Sequence, residues 1–215
     1  MKTIITIFLL SLPLCLVAQQ RKKGDLYLIN EAGAAYTSYH GDYPYEVTYQ
    51  EFIAVPSFSI YESQGISPQL HLGVYYHLTP RSAVTAGIGN SPVHFDTEAG
   101  FDFKRTLINM YHFSAGYRHL LKSEGKFIPY LETEFYFQSV SHLLSRAKGS
   151  GSSIQPEIGV IIDVSNKMNI ILNGYYRYAV SFYHIDQLDY TLRPYAYGLN
   201  VGVEFKIGES LEILK

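Results

Sequence analysis

The stretch YAYGLNVGVEFKI, from Tyr195 to Ile207, alternates bulky apolar residues with small or polar ones along its whole length. All seven odd positions are apolar or aromatic, whereas the even positions are Ala, Gly, Asn, Gly, Glu and Lys. A period of two predicts an extended strand with two unlike faces. The stretch is about twice as long as a typical strand in a soluble domain. Its apolar face therefore contacts either a protein core or a lipid bilayer.

The same alternation recurs upstream, so the closing stretch is one copy of a pattern. Each copy has one apolar face and one face of polar or small residues, as expected for a strand between two different media. With the closing stretch, the copies predict about eight strands. The other seven segments are 25–37, 69–78, 82–90, 107–119, 127–138, 153–164 and 168–182.

Short and long links alternate between these strands. The short links are the polar turns TPRS, KSEGK and SNK, and the longer ones include residues 40–67 and the segments around Ala99, Lys148 and Gln187. This alternation predicts an all-β, eight-stranded, antiparallel, up-and-down transmembrane barrel. A ten-stranded barrel is the alternative, if residues 52–61 add a hairpin. The competing class is a secreted soluble barrel or sandwich with a small apolar ligand, although sandwiches usually have shorter strands and less regular links.

The first 18 residues have the features of a secretory signal peptide. Lys2 precedes an apolar run from Ile4 to Leu16, and Val17-Ala18 offers a small-residue cleavage site. Cleavage after Ala18 leaves residues 19–215 as one barrel domain. It also removes Cys15, the one cysteine of the chain, which excludes disulfides and thiolate metal sites. The balance of 17 basic and 19 acidic residues indicates no nucleic-acid-binding face.

The eight amphipathic strands, the alternating links and the signal peptide resemble the small outer-membrane barrel family of OmpA and OmpX, a porin-like class. The resemblance implies a location in the cell outer membrane, contact with outer-membrane lipid, and assembly by the barrel insertion machinery. The closing strand is similar to the C-terminal signal that this machinery reads. This family usually ends on an aromatic residue, whereas this chain continues through GESLEILK. The residues that match the insertion signal are Tyr197, Gly198, Phe205 and Ile207.

The polar faces of the strands predict a charged lumen. An eight-stranded barrel has room only for its own side chains, and buried charges persist only when they are paired and hydrogen-bonded. We therefore expect a salt-bridge network that fills the lumen and leaves no open pore; a gated proton or ion path is the alternative. The expected network consists of Glu31, Arg118, Glu132, Glu134, Glu157, Arg177, Glu204 and Lys206, with Asp163, His71, His77 and His112 on the same faces.

One tripeptide, His112-Phe113-Ser114, suggests an enzyme that acts on lipid A. A His two residues before a Ser resembles the outer-membrane lipid A deacylase, but Ala115 replaces the expected Asn and the register points both side chains inward. His71 and His77 share a face but lie about 20 Å apart on a strand, too far to hold one metal ion. We therefore predict no catalytic residue, no cofactor and no metal site.

The longest link is the best candidate for a biological role. Residues 40–66 are rich in Tyr and Phe and contain several acids. Exposed loops carry binding in scaffolds of this kind. The sequence therefore predicts a structural or surface-interaction protein whose ligand or partner contacts residues 40–66; extended strands above the membrane are the simpler interpretation of the same segment.

Overall fold

A computed structural model describes most of the chain beyond the predicted signal peptide. The signal peptide itself and most of residues 40–66 lie outside the described residues. In the part of the chain that the structure describes, no helix is long and apolar enough to cross a membrane. The described ranges are 21–42, 59–60, 64–91, 93–99, 102–141, 148–180, 183–185 and 190–208.

Eleven strands form in these ranges, and each predicted segment lies largely within one of the long ones. The strands are β1 (Leu26–Asp42), β2 (Ser59–Ile60), β3 (Gln64–Thr79), β4 (Ser82–Asn90), β5 (Val93–Ala99), β6 (Asp102–Leu120), β7 (Phe127–Ser141), β8 (Lys148–Ser165), β9 (Met168–Ala179), β10 (Tyr183–Ile185) and β11 (Tyr190–Gly208).

Eight of these strands close into an antiparallel barrel. The pairings run from β1 through β3, β4, β6, β7, β8 and β9 to β11, which pairs again with β1. The short strands extend the wall at one end: β5 pairs with β6, β10 pairs with β8 and β11, and β2 pairs with β5. The eight-stranded fold is therefore confirmed. The ten-stranded alternative is wrong, because the ring already closes through eight strands.

The two ends of the barrel differ, as the link lengths predicted. One end, which we call the turn end, carries the three short links between Thr79 and Ser82, Leu120 and Phe127, and Ser165 and Met168. Gly125 adopts φ 114° in the second of these links, a conformation that favours glycine. The opposite end, the loop end, carries the longer links and the short strands. In outer-membrane barrels the short turns face the periplasm.

The wall has an apolar outer face and a mostly polar interior. Outward residues such as Leu199, Ile66 and Ile158 are 72%, 71% and 66% exposed. A soluble protein buries such residues, whereas a transmembrane barrel turns them toward lipid. The soluble ligand-binding alternative is therefore wrong, since it requires the reverse distribution.

The interior also contains an apolar layer, which the sequence did not predict. Its members are fully or almost fully buried and come from seven of the eight barrel strands. With these side chains the lumen is filled near the turn end. They are Tyr27, Ile29, Tyr75, Ala83, Leu120, Ile128, Tyr130, Ile161 and Ile171.

Candidate functional site in the barrel lumen

The centre of the lumen is occupied by Arg118 of β6. Its Nε and Nη2 both lie 2.6 Å from Glu132 Oε2, and Nη1 lies 3.5 Å from Glu204 Oε2. The guanidinium stands 3.9 Å and 4.0 Å from the ring centroids of Tyr75 and Tyr130, and Nη2 donates to Tyr75 Oη over 2.8 Å. Because β6 and β11 lie on opposite sides of the ring of strands, the contact with Glu204 spans the lumen.

The turn end of the lumen is occupied by a residue that lies outside the strands. Residues 21–25, which we call the N-terminal arm, fold into this end and bury Arg21 to 1% exposure. Arg21 Nη1 donates to Glu204 Oε1 over 2.6 Å and lies 3.4 Å from His77 Nε2. The guanidinium also lies 4.9 Å from the ring centroid of Tyr27. The turn end of the lumen is therefore filled by a cation from the N-terminal arm.

Backbone and side-chain contacts fix this arm in place. Gly24 donates its N–H to the carbonyl of His77 over 2.7 Å, and His77 donates to the carbonyl of Asp25 over 3.0 Å. Gly24 has φ 87°, which favours glycine at the bend. The Asp25 carboxylate pairs with Lys206 Nζ at 3.0 Å. Arg21 was not in the expected network, since strand periodicity says nothing about residues that precede the first strand. Asp25, the first residue of the predicted segment 25–37, was not assigned to the network either.

Arg177 of β9 organises the half of the lumen nearer the loop end. Its Nε donates to Gln155 Oε1 over 2.6 Å, and its guanidinium lies 4.3 Å from the ring centroid of Tyr136. Gln155 Nε2 donates in turn to Glu157 Oε1 over 2.6 Å. Longer contacts of 3.4 Å reach Ser91 and Gln69. Arg177 thus connects β9 to several strands of the wall.

The remaining acids of the expected network accept hydrogen bonds from neutral groups. Glu134 accepts from Thr85 and Ser114 over 3.3 Å each and from the Tyr136 hydroxyl. Glu31 accepts from Asn173 Nδ2 over 3.0 Å. Ser114 lies on the strand next to Glu134, whereas Thr85 and Asn173 each lie two strands away from the acid they contact. The contacts therefore tie the wall together across the inner face.

The structure places all eight residues of the expected network on the inner face. Seven are buried, and Lys206 is partly exposed at the turn end, where it pairs with Asp25. The arrangement can hold the charges of the lumen in fixed positions and exclude a continuous water column. Its contribution to stability stays a prediction.

His112 and Ser114 do not form the pair expected of a lipid A deacylase. Both lie on the inner face of β6 and are buried. Ser114 Oγ lies 3.4 Å from the Nε2 of His71, on β3, and donates to Glu134. The His112 ring instead packs edge-on against Tyr136 and His71, with centroids 4.8 Å and 5.7 Å apart. Both side chains are therefore turned away from lipid.

The parts of the chain that the structure describes contain no candidate metal centre. Among those residues, no group of three or more His, Cys, Asp or Glu side chains could hold a metal ion.

The predicted insertion signal lies on β11, which closes the barrel against β1. Tyr197, Phe205 and Ile207 point outward and are 52%, 42% and 56% exposed. Tyr197 stacks on Tyr36 of β1, with ring centroids 5.1 Å apart. Gly198 belongs to the inner face, where it lies next to Tyr175. The outward residues are accessible to lipid, and their recognition by the insertion machinery stays a prediction.

Solved outer-membrane barrels share this fold. OprG from Pseudomonas aeruginosa matches with a TM-score of 0.59 and 13% identity over 87% of this chain and 99% of that one. Neisserial surface protein A matches with a TM-score of 0.56 and 12% identity, over 84% and 97% of the two chains. AlkL, solved in lipid bilayers, matches with a TM-score of 0.50 and 14% identity, over 89% and 95%. No protein-family model and no curated protein matches the sequence.

The fold and the filled lumen define a small transmembrane β-barrel of the outer-membrane type. The fold implied by the resemblance to OmpA and OmpX is thus confirmed. Because the outer face is apolar along the wall and the interior is mostly polar, the barrel has the surface expected of a protein surrounded by lipid. This fold and its apolar outer face agree with the location in the cell outer membrane that the sequence predicted.

Proposed function

We propose that this chain is a closed outer-membrane barrel with a structural or surface-interaction role, and that it forms no open pore and is not an enzyme. The observation that carries this proposal is the contact of Arg118 with Glu132 and Glu204, which crosses the centre of the lumen. An open diffusion pore requires a water-filled path, and here a buried guanidinium between two aromatic rings occupies it.

The space around Arg177, in the half of the lumen nearer the loop end, supports the same proposal. The cavity lined by His71, His112, Tyr136 and Arg177 has a volume of about 10 Å³. This is the room of about one water molecule. A solute larger than water cannot pass without displacing several side chains.

Conductance in a planar lipid bilayer tests the closed lumen. We expect no stable conductance steps from the purified, refolded protein. The matched variant Arg118→Ala removes the central guanidinium and should give steps or higher leak, provided that it still shows the altered gel migration of a folded barrel before heating. Regular steps from the native protein would overturn the proposal of a closed barrel.

The surface role is supported by the form of the loop end. Strands β5 and β10 pair with β6 and β11 at the loop end and extend the wall there, so hydrogen-bonded strands support the connecting segments. Rigid scaffolds that present variable loops are the usual design of binding surfaces. Among the similar structures, the Neisserial protein is described as a surface protein. We propose that residues 40–66 contact the ligand or partner.

Deletion of residues 42–62 tests this role. The variant should still insert and migrate as a folded barrel, because Asp42 is the one β1 residue paired with β11 that the deletion removes. Adhesion of cells that display the full chain should be lost in cells that display the deletion. Loss of folding would make the segment structural, and unchanged adhesion would remove it as the contact site.

A further inference from the structure

The turn end carries a ring of exposed positive charge. Among the described residues, six cations are exposed at this end, and Glu124 is the exposed acid that accompanies them. The whole chain, in contrast, has a net charge of −2. Among the residues whose side chains the structure describes, the exposed Lys and Arg therefore lie at one rim of the barrel. The six cations are Lys22, Lys23, Arg81, Lys122, Lys126 and Lys167.

These cations surround the barrel rather than form a patch on one side. Lys22 and Lys23 lie in the N-terminal arm beside β1 and β11, and Arg81 lies in the turn from β3 to β4. Lys122 and Lys126 lie in the link from β6 to β7, and Lys167 lies in the turn from β8 to β9. The arm and each of the three turns thus carry at least one cation, so all four pairs of neighbouring strands end beside one.

The ring lies at the edge of the exposed apolar outer face of the barrel. Each turn cation is within two residues of a strand end, and exposed apolar side chains such as Leu78, Leu121 and Ile207 lie beside the ring. Lys126 Nζ lies 5.9 Å from the ring centroid of Phe127, which is itself 54% exposed on the outer face. Lysine side chains at this depth extend their amines into the headgroup layer of the bilayer.

We propose that this cationic ring binds anionic phospholipid headgroups in the leaflet that faces the turn end. Clusters of Lys and Arg next to a membrane-spanning segment attract anionic lipid, and the attraction falls off within a Debye length. Charge complementarity selects phosphodiester headgroups with a net negative charge over zwitterionic ones. A ring distributed around the circumference fits a surrounding shell of lipid, whereas a docked polymer or protein would contact one side.

The test compares unfolding in two lipid compositions. The native chain and the variant Lys22→Gln/Lys122→Gln/Lys126→Gln/Lys167→Gln are reconstituted in phosphatidylcholine, alone or mixed with phosphatidylglycerol. The midpoint of thermal unfolding is read from the change in gel migration. Phosphatidylglycerol should raise the midpoint of the native chain, raise that of the variant less, and lose its effect at high salt. Both chains must first migrate as folded barrels in phosphatidylcholine.

Glu124→Gln is the matched control, because it removes the acid of the ring and should enlarge the phosphatidylglycerol effect. Equal shifts for the native chain and the quadruple variant overturn the proposal. Retention on peptidoglycan sacculi that requires the four lysines, without any phosphatidylglycerol effect, also overturns it in favour of the cell wall. If a chain truncated after Gly208 shows the effect and the full chain does not, residues 209–215 cover the ring and the proposal fails for the full chain.

Discussion

Arg21 Nη1 donates to Glu204 Oε1 over 2.6 Å, so a residue that precedes the first strand is tied to the last strand. Both side chains are almost completely buried. Glu204 lies on β11 next to β1, where the first and last strands meet and close the barrel. The pair therefore joins the N-terminal arm to the barrel closure and holds a cation inside the turn end.

Arg21→Ala should destabilise the folded barrel. The substitution leaves Glu204 with Arg118 at 3.5 Å and Asn169 at 3.2 Å as its remaining donors. Removal of one member of a buried ion pair costs about 3 kcal/mol. Unfolding in urea measures the loss of stability. It can be followed by gel migration or by tyrosine fluorescence, since the chain contains no tryptophan. Lys22→Ala, at the exposed neighbouring position, should have little effect; equal losses for the two variants would show that the Arg21 contact is not stabilising.

The double variant Glu132→Leu/Glu134→Leu should lower the thermal stability of the folded barrel. Arg118 loses its 2.6 Å partner, and Thr85 and Ser114 lose their shared acceptor. Arg118 keeps its longer contact with Glu204 at 3.5 Å, and removal of its close partner from a buried ion pair costs about 3 to 5 kcal/mol. The midpoint of heat-induced unfolding in detergent provides the measurement.

The control for the double variant is Thr133→Leu, which lies between the two acids on the outward face of β7. It should leave the midpoint close to that of the native chain. Unchanged stability in the double variant would contradict a stabilising lumen network.

Periodicity predicted the strands and their faces because lipid and lumen impose opposite polarity on alternate residues. It predicted that Arg118, Glu132 and Glu204 point inward as members of one network, but not that Arg118 pairs with these two acids in particular. That pairing depends on the stagger of strands across the barrel, which alternation does not report. The apolar layer was missed for a related reason: alternation puts Ile161 and Tyr130 on inward faces, but whether they meet at one level of the lumen depends on the same stagger.

Val201→Arg should block assembly. Val201 is 54% exposed on the outer face of β11, between Ala32 and Leu172 of the neighbouring strands. An Arg on the lipid face near the middle of the bilayer costs about 2 to 4 kcal/mol. Recovery of heat-modifiable protein from the membrane fraction measures assembly. Asn200→Ser changes the adjacent inward position and should assemble normally; normal assembly of Val201→Arg would mean that this part of β11 does not face lipid.

Gly198→Ala should destabilise the barrel even without the insertion machinery. A Cβ at Gly198 would lie 2.6 Å from Tyr175 Oη and 2.7 Å from the backbone carbonyl oxygen of Ala34, and the backbone contact cannot be relieved by a rotamer change. Overpacking of this kind costs about 1 to 3 kcal/mol. Gly174→Ala is the matched control on β9, since its Cβ would meet only ordinary contacts at 3.4 Å and beyond.

Two measurements on both glycine variants separate close packing at Gly198 from recognition by the insertion machinery. One is refolding of the purified protein into detergent, and the other is accumulation in the membrane of expressing cells. Close packing predicts that Gly198→Ala is less stable than Gly174→Ala in the purified system. If Gly198→Ala refolds with native stability but fails to accumulate in the membrane, the glycine acts in recognition by the insertion machinery instead. Normal refolding together with normal accumulation would contradict both roles, because the wall would then have adjusted around the added methyl group.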